Sequence, residues 1–585
     1  MSVQLSEQPT QPSIWDTPLT ALFKINWDLI ILVAILLVAT ATRFYDLGSA
    51  AWSHDEAIHT VWSNDLYSGK GYIHNPIYHG PLLYHMTALA FFILGDNDFS
   101  ARVMPVLFGL VLIAAPFLFR QWLGKRGWVI TSIMLLISPV VAHYSRVDRH
   151  DIYVEVCTVL IALAIMKYLN GRSANWLYFA SAMLALSFTA METTFIFMAL
   201  FGYFLASVFT YDWFQERAPE ARWTNAAMAA VFGLPFAVVA VGLFLLEKFG
   251  LWSDKKREGK PAFDVAAFDL LLVLGTFIVP MGATPLFIKY ILQRDPTDYS
   301  SVIAISGSGF ALVLFIALAS AVGLTWNWRK WLLSAVWFYP IMLVFFTTVF
   351  TNPAGIGSGF VGSLGYWISQ QAVQRGSQPQ YYYLLVTLPL YEYLPYLFGL
   401  IGLLYILARR SWTRAGIFGI VLLVLLAIEA YIWFTPGVLE WMAQNIPFMP
   451  GRQVVTPEAG GIDNPGSVTV DNLRAANFTV LLLGILLPLF FALAYDPDDP
   501  ETRFPTLIGL WTLGVLVLFS WAGEKMPWLT MHLAIPLSFV TGYFMNDVLD
   551  ADWRELSKRG ALIMAGVMLL GLLILAFRSF LDRRR

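Results

Sequence analysis

The sequence predicts an all-α polytopic membrane protein, a bundle of about 13–16 membrane-spanning helices with large loops that carry juxtamembrane helices. Three observations predict it. Apolar and aromatic residues fill 58% of the 585 positions. Charged residues fill 13%, about half the share with which a soluble domain wets its surface. Mean hydropathy is +0.64.

A bilayer span takes about 20 mostly apolar residues. The first twenty-three residues are polar and hold no Lys or Arg, so 1–26 reads as a polar cytoplasmic N-terminus that lacks a secretory basic region. Ala39-Thr40-Ala41 resembles a cleavage site. Even so, 27–45, with Trp27 and Tyr45 at its ends, reads as a retained first span. Further spans are expected near 101–119, 128–144, 150–169, 174–190, 193–210 and 225–246. The rest lie near 268–291, 303–324, 331–350, 385–407, 414–434, 476–495, 505–521, 530–548 and 561–580.

Three stretches are too long to be connectors: 46–100, 351–384 and 435–475. The second opens with glycines at 355, 357 and 359 and closes with Tyr381-Tyr382-Tyr383. Glycines there permit close backbone approach or a mobile loop, and tyrosines suit an interface or a sugar face. The third is polar, with no evident chemistry.

Orientation follows Lys and Arg in short loops. Arg120 to Arg126 and Lys167 to Arg172 belong inside, which places 46–100, 145–149 and 191–193 outside. Lys255-Lys256-Arg257, Arg329-Lys330, Arg409-Arg410 and Lys558-Arg559 also favour the inside. Strict alternation puts these later groups outside. One span between about 193 and 300 is therefore miscounted or re-entrant. The terminal Arg583-Arg584-Arg585 fits the corrected alternation poorly.

The totals exclude several functions. A formal charge of −2 gives no global field for nucleic acid. The single cysteine, Cys157, excludes a disulfide framework and a CxxC metal knuckle. No GxxxxGK[ST] loop supports ATP-driven transport.

Chemistry concentrates in three places. Ser53 followed by Glu56 forms a capping box that starts a helix at His54-Asp55-Glu56. Ile58, Val61 and Trp62 then supply an apolar face for a helix on the membrane surface. Its acids either complement the helix N-terminus or do chemistry. Five of the chain's eight histidines fall between 54 and 85, among them His74, His79 and His85. Imidazoles there can bind phosphate, shuttle protons or ligate metal, although the spacing matches no compact zinc signature. In Ser145-Arg146-Val147-Asp148-Arg149-His150-Asp151, a helix entered near Asp148 puts Asp148, Asp151 and Glu155 on one face. Either Arg146 and Arg149 pair with these acids, or a polar cavity opens there to the outer leaflet. Glu192, Glu524 and Lys525 are expected at the same level. A substrate with a phosphate and an apolar tail suits this set.

The order of Asp55-Glu56, His79-Gly80-Pro81-Leu82 and Ala101-Arg102 after a first span resembles the membrane glycosyltransferases of the GT-C class. Within it the chain is most similar to the protein O-mannosyltransferase and aminoarabinose-transferase group. The Ser145-Arg146-x-Asp148 turn and the break at 187–194 resemble later elements of that group. Together with Gly523-Glu524-Lys525-Met526-Pro527-Trp528, the pattern resembles a prokaryotic PMT-like, flippase-activity-associated subfamily. The likeness to the class covers about 27–210, and the subfamily likeness reaches the C-terminal region. One departure matters: aminoarabinose transferases carry Lys-Pro-Pro where this chain has His79-Gly80-Pro81, which leaves that phosphate contact to Arg146 or His79.

The resemblance implies a GT-C-like bundle in a prokaryotic cell membrane and inverting transfer of a sugar from a polyprenyl-phosphate donor. It makes 27–210 a catalytic membrane module that includes the outer loop 46–100. Middle helices at 211–350 follow, with a basic loop at 247–262. After the outer loop at 351–384 come helices at 385–434, a loop at 435–475 and C-terminal helices at 476–585. Asp55 is implied as general base, with Glu56 positioning the acceptor or the adjacent helix. Arg102, Arg146 and His79 would stabilise the departing lipid phosphate. Asp148, Asp151, Glu192, Glu524 and Lys525 complete the expected substrate-binding set. The scheme requires no metal or other cofactor. The partners are the lipid bilayer, the lipid-linked donor and an acceptor glycan, lipid or protein, with no nucleic acid. Two alternatives stand beside it: a non-catalytic subunit that assists lipid-linked sugar flipping, and a secondary transporter. Against the latter, the sequence shows no inverted repeat.

Overall fold

Apolar runs bounded by polar caps become helices throughout the computed structural model. It describes residues 26–252, 263–298, 301–370, 373–374, 382–435, 437–438, 453–454, 484–522 and 525–551. Outside the described residues lie the N-terminal 1–25, the basic Lys255-Lys256-Arg257 and Lys558-Arg559, Glu524, nearly all of 435–475, the start of the 476–495 span, the 561–580 span and Arg583 to Arg585.

The chain is an all-α multi-pass membrane protein. Ten helices among the described residues are long and apolar enough to cross a bilayer. Beside helices, turns and irregular segments, the described residues include a parallel pairing of two residues, Val373–Gln374, with Gln453–Val454.

In order, the helices are α1 (Trp27–Phe44), α2 (His54–Tyr67), α3 (Leu82–Leu94), α4 (Asp98–Ala114), α5 (Arg120–Ile137) and α6 (Pro139–Tyr144). Then come α7 (Asp151–Gly171), α8 (Ala174–Ala190), α9 (Thr194–Gln215), α10 (Arg222–Lys248), α11 (Ala266–Tyr290) and α12 (Val302–Phe346). The last are α13 (Tyr393–Arg410), α14 (Trp412–Phe434), α15 (Leu486–Ala494), α16 (Arg503–Trp521) and α17 (Thr530–Asp550).

Two apolar stretches exceed one crossing. Asp98–Ile137 runs 40 residues, about 60 Å as helix, twice the hydrocarbon thickness. It breaks at Gly124, whose φ of +81° suits a residue without Cβ. The 45-residue α12 breaks at Asn327, which leaves helical geometry and caps the next turn by accepting from the Lys330 N–H. With both divided, and the shorter apolar α8 and α13 admitted, the described residues fall within the range read from the sequence.

The bundle has two chemically distinct ends. One gathers the turns after α1, α6 and α8, the segment after α12 and the turn before α17. The other gathers most of the arginines among the described residues. There Arg126 pairs with Asp550, Arg172 with Asp264 and Asp269, and Arg409 with Asp547. Arg222 binds Asp496 and Asp498, and Arg410 binds Asp496 and Asp499.

Helix α10 accounts for the alternation that the charges contradict. Its first turn is held by the Arg222 ion pairs and by Asn225, which donates to Gln215 and to the Ala218 carbonyl. Its last turns pack Phe244 against Phe263 and Phe268, beside the Arg172–Asp264 pair. Both ends of α10 therefore lie at the arginine end of the bundle. The expected 225–246 span is a helix long and apolar enough to cross a bilayer, and its contacts at one end of the bundle mark it as the segment where the charges contradict strict alternation.

Candidate active site

The capping box forms as the sequence predicts. The Ser53 side chain accepts from the Glu56 N–H, and Glu56 reaches back to the Ser53 N–H. The buried face of α2 is nevertheless its polar one: Glu56, His59, Thr60 and Ser63. Val61, expected on the apolar face of a helix lying on the membrane surface, is 57% exposed. The polar face turns inward because it meets buried partners from α4 and from the turn after α6.

The box gives the neighbours Asp55 and Glu56 different environments. Arg102 of α4 holds Glu56 with both arms of its guanidinium, Nε–Oε1 at 2.6 Å and Nη2–Oε2 at 3.0 Å. Arg102 also donates to the carbonyls of Leu47 and Ala50, and the Asp148 N–H donates to Glu56 at 3.3 Å. Asp55 instead keeps 39% of its side chain exposed and lines a cavity of about 660 Å³. Its Oδ2 accepts from Arg149 Nη1, while Arg149 Nε donates to Asp151 Oδ2 at 3.1 Å. The Trp528 ring, which also lines the cavity, lies 3.9 Å from the Arg149 guanidinium.

Three further arginines line this cavity: Arg102, already bound to Glu56, and Arg43 and Arg146. Arg43 donates to Thr42 Oγ1 at 3.1 Å and to the Leu136 carbonyl at 2.7 Å. Arg146 donates to the Tyr45 carbonyl at 2.6 Å. Neither meets a carboxylate among the described residues, and the Nε of each is buried without a partner. A cavity with a half-exposed carboxylate and two uncompensated guanidiniums can take a hydroxyl and an anion side by side.

The other expected residues lie behind the cavity wall. His79 sits at φ +65° and its Nδ1 pairs with Glu192 Oε2 at 2.8 Å. The neighbouring Gly80 donates to the Ala190 carbonyl, and a Cβ there would stand 2.1 Å from the Thr189 carbonyl oxygen. That approach is why a glycine separates His79 from Pro81. Asp148 precedes α7 rather than sharing its face with Asp151 and Glu155. It accepts from Thr87 at 2.9 Å, and burial raises its carboxyl well above the ordinary value, partly countered by that hydrogen bond. The expectation that these three acids open onto a cavity is thus corrected: all three are buried among helices. Arg149 does pair with Asp151, as the simpler reading had it, whereas Arg146 binds the backbone. Lys525 is buried and donates to the carbonyls of Phe519 and Ala522. Tyr383 is buried and donates to the Met526 carbonyl. Glu524 lies outside the described residues.

Burial acts on three of the imidazoles near the site. Burial lowers His59 to about 4, against the pull of its bond to the Asp148 carbonyl, and lowers His74 to about 3. Burial, reinforced by His59 and His79, lowers His150 well below its ordinary value. Among the described residues no three His, Cys, Asp or Glu groups converge closely enough to hold a metal ion.

Sequence reading missed three residues. Arg43 closes the first span as a buried arginine, and Arg149 is the meeting point of Asp55, Asp151 and Trp528. His532 stands in an otherwise apolar run, and an imidazole inside a span is the signal that should have drawn attention.

A model of the dolichyl-phosphate-mannose-protein mannosyltransferase family matches residues 78–243. That segment holds His79, Arg102, Arg146 and Glu192 but stops short of Asp55 and Glu56. Through it the chain is similar to the GT-C-type membrane glycosyltransferases. No curated protein matches in sequence. Similar solved structures include the oligosaccharyltransferase of Archaeoglobus fulgidus in complex with zinc and sulfate, at 14% identity and a TM-score of 0.35. The match covers 85% of this chain and 54% of that one, so the chain spans about half the length of that relative. ArnT from Cupriavidus metallidurans bound to undecaprenyl phosphate is similar at 13% identity and a TM-score of 0.27, over 90% of this chain and 78% of that one. The apo state of the same protein gives 14% identity and a TM-score of 0.27, over 88% and 77%.

Proposed function

We propose that the chain is a GT-C-type membrane glycosyltransferase that moves a sugar, with inversion, from a polyprenyl-phosphate donor to an acceptor hydroxyl on the extracytoplasmic side. One observation carries the reading: Asp55, Arg43 and Arg146 line a single cavity, and both arginines lack a carboxylate partner among the described residues. Asp55 takes the proton of the acceptor hydroxyl as its oxygen attacks the anomeric carbon. The bond from that carbon to the phosphate oxygen breaks, and the departing lipid phosphate carries the bonding pair to the Arg43 and Arg146 guanidiniums. Guanidinium suits this task because its planar fork matches phosphate oxygens. Glu56 and Arg102 hold α2 against α4, and His79 with Glu192 fixes the 79–81 turn against the α8–α9 break. The arginine end of the bundle faces the cytoplasm by the distribution of basic residues, which leaves the cavity outside, where a lipid phosphate headgroup lies at the interface.

The test is purified chain incubated with a panel of polyprenyl-phosphate sugars, with released polyprenyl phosphate as the readout. Release dependent on Asp55 supports the reading, and no release from any donor sinks it. Ionisable Asp151, Glu155 and His532 between membrane helices favour a second reading as a transporter. Uptake of a lipid-linked sugar by chain-bearing vesicles, without release, would mark that case.

A further inference from the structure

Behind Arg149 lies a set of ionisable side chains that face no cavity. Asp151 opens α7 and Glu155 follows one turn later on the same face. His532, in the first turn of α17, stands opposite both. Its Nδ1 bonds Glu155 Oε1, and its Nε2 lies 3.4 Å from Asp151 Oδ1. All three side chains are sealed from solvent. Phe519 and Phe197 flank the imidazole at 5.1 and 5.5 Å between ring centres. Such a group is costly to bury between helices, and replacing it with apolar residues is often neutral or stabilising. Its presence therefore asks for a role beyond packing.

The connections supply one. Asp151 offers its second oxygen, Oδ2, to Arg149 Nε at 3.1 Å, and Arg149 Nη1 binds the Asp55 carboxylate. The side chains follow one another from Glu155 through His532, Asp151 and Arg149 to Asp55; between His532 and Asp151 the approach is an ion-pair distance, and neither Nε2 nor Oδ1 has a hydrogen-bond partner. Two residues before α17 stands Trp528, whose ring carries the same guanidinium at 3.9 Å. The α17 segment thus grips Arg149 twice, directly through Trp528 and indirectly through His532 and Asp151.

We propose that His532 is a positioning residue: by bracing Asp151, it sets the orientation in which Arg149 holds the Asp55 carboxylate in the cavity. Without the imidazole, Arg149 is left as the one cationic partner of a buried Asp151, and the guanidinium is drawn toward it and away from Asp55. A shift of about 1 Å in a reacting group costs about 10²-fold in rate. The kinetic consequence rests on the proposed glycosyl transfer, whereas the structural one does not.

The experiment has two arms, both on the full chain in lipid nanodiscs. In the first, phenylglyoxal, which modifies accessible guanidiniums, is applied, and adduct at Arg149 is quantified by peptide mass spectrometry. His532→Ala is expected to raise modification of Arg149 several-fold. His532→Gln, which keeps one N–H donor for a carboxylate, stays near the parent. Unchanged modification in His532→Ala overturns the proposal. So does an equal rise in both variants with an equal loss of thermal stability, the signature of lost packing. In the second arm, with whichever donor the panel identifies, His532→Ala lowers kcat by about 10²-fold at unchanged KM, and His532→Gln recovers most of it. A changed KM at unchanged kcat contradicts the proposal. If the parent chain releases no polyprenyl phosphate, the transferase reading fails, and the labelling arm still decides the role of His532.

Discussion

Arg102 and Glu56 form a two-pronged ion pair between α4 and α2, with 1% and 2% of their side chains exposed. The pair forms part of the cavity wall, and its geometry is that of a fastening. Removing one partner strands a buried charge, a change that costs about 3–5 kcal/mol. Arg102→Ala and Glu56→Gln are therefore expected to lower the thermal midpoint of the purified chain clearly. Variants with unshifted midpoints would return both residues to the list of direct substrate contacts.

Asp55→Asn is expected to behave in the opposite way. The side chain is half-exposed and its amide can still accept from Arg149, so the thermal midpoint stays near that of the parent. Transfer should fall by about 10²-fold or more through loss of the base. Equal turnover in the two proteins would leave Asp55 as no more than a first-turn acid of α2.

Donor affinity is the readout for the two uncompensated arginines. Arg43→Ala and Arg146→Ala are each expected to weaken binding of a polyprenyl-phosphate sugar by about 1.5–3 kcal/mol, the range for hydrogen bonds to charged groups. Arg146→Lys recovers part of this, because one ammonium cannot reproduce the fork. An unchanged dissociation constant in both alanine variants would remove the phosphate from this cavity.

Buried neutral histidines make stability depend on acid. His59 at about 4 and His74 at about 3 stay unprotonated when folded, whereas in the unfolded chain they titrate near 6.5. The unfolded state therefore binds more protons below about 6.5, and stability falls as pH falls. The slope is about 1.4 kcal/mol per pH unit for each histidine, ending for His59 near its folded value. Denaturation midpoints from pH 7 to 5 check this, and His59→Gln should flatten the profile. A parent profile flat over that interval would contradict the burial argument.

Sidedness is open to labelling in a Cys157→Ser background. Ser63 lies on the buried face of α2, so the useful probe is the exposed Ser68, set against the exposed Asn170. A membrane-impermeant maleimide on intact cells is expected to label a cysteine at Ser68 and spare one at Asn170. The reverse pattern would place the cavity in the cytoplasm.

What could be read from the chain was local. The Ser53–Glu56 box and the spans follow from short spacings and charge, whereas the association of Asp55 with arginines came from the resemblance. Three features depend on contacts between distant segments, which no window of sequence contains. Arg149 was visible only as a neighbour of Asp151, while its bonds to Asp55 and Trp528 cross 94 and 379 positions. The polar face of α2 turns inward because of Arg102 and Asp148, which its own periodicity does not reveal. Helix α10 has the length and apolarity of a span, and only contacts across the chain, such as Arg222 with Asp496, show that its ends reach the arginine end.

The three-way hold on Arg149 also bears on biosynthesis. Asp55 leaves the ribosome roughly 470 residues before Trp528, which at about 5–20 residues per second is an interval on the order of half a minute to a minute and a half. During that time Arg149 and Asp151 have been inserted without the aromatic ring or the imidazole that later brace them. The first helices must therefore tolerate an unfinished polar seam until the last ones arrive, and a nascent chain halted before α17 carries its acids with no mature pocket around them.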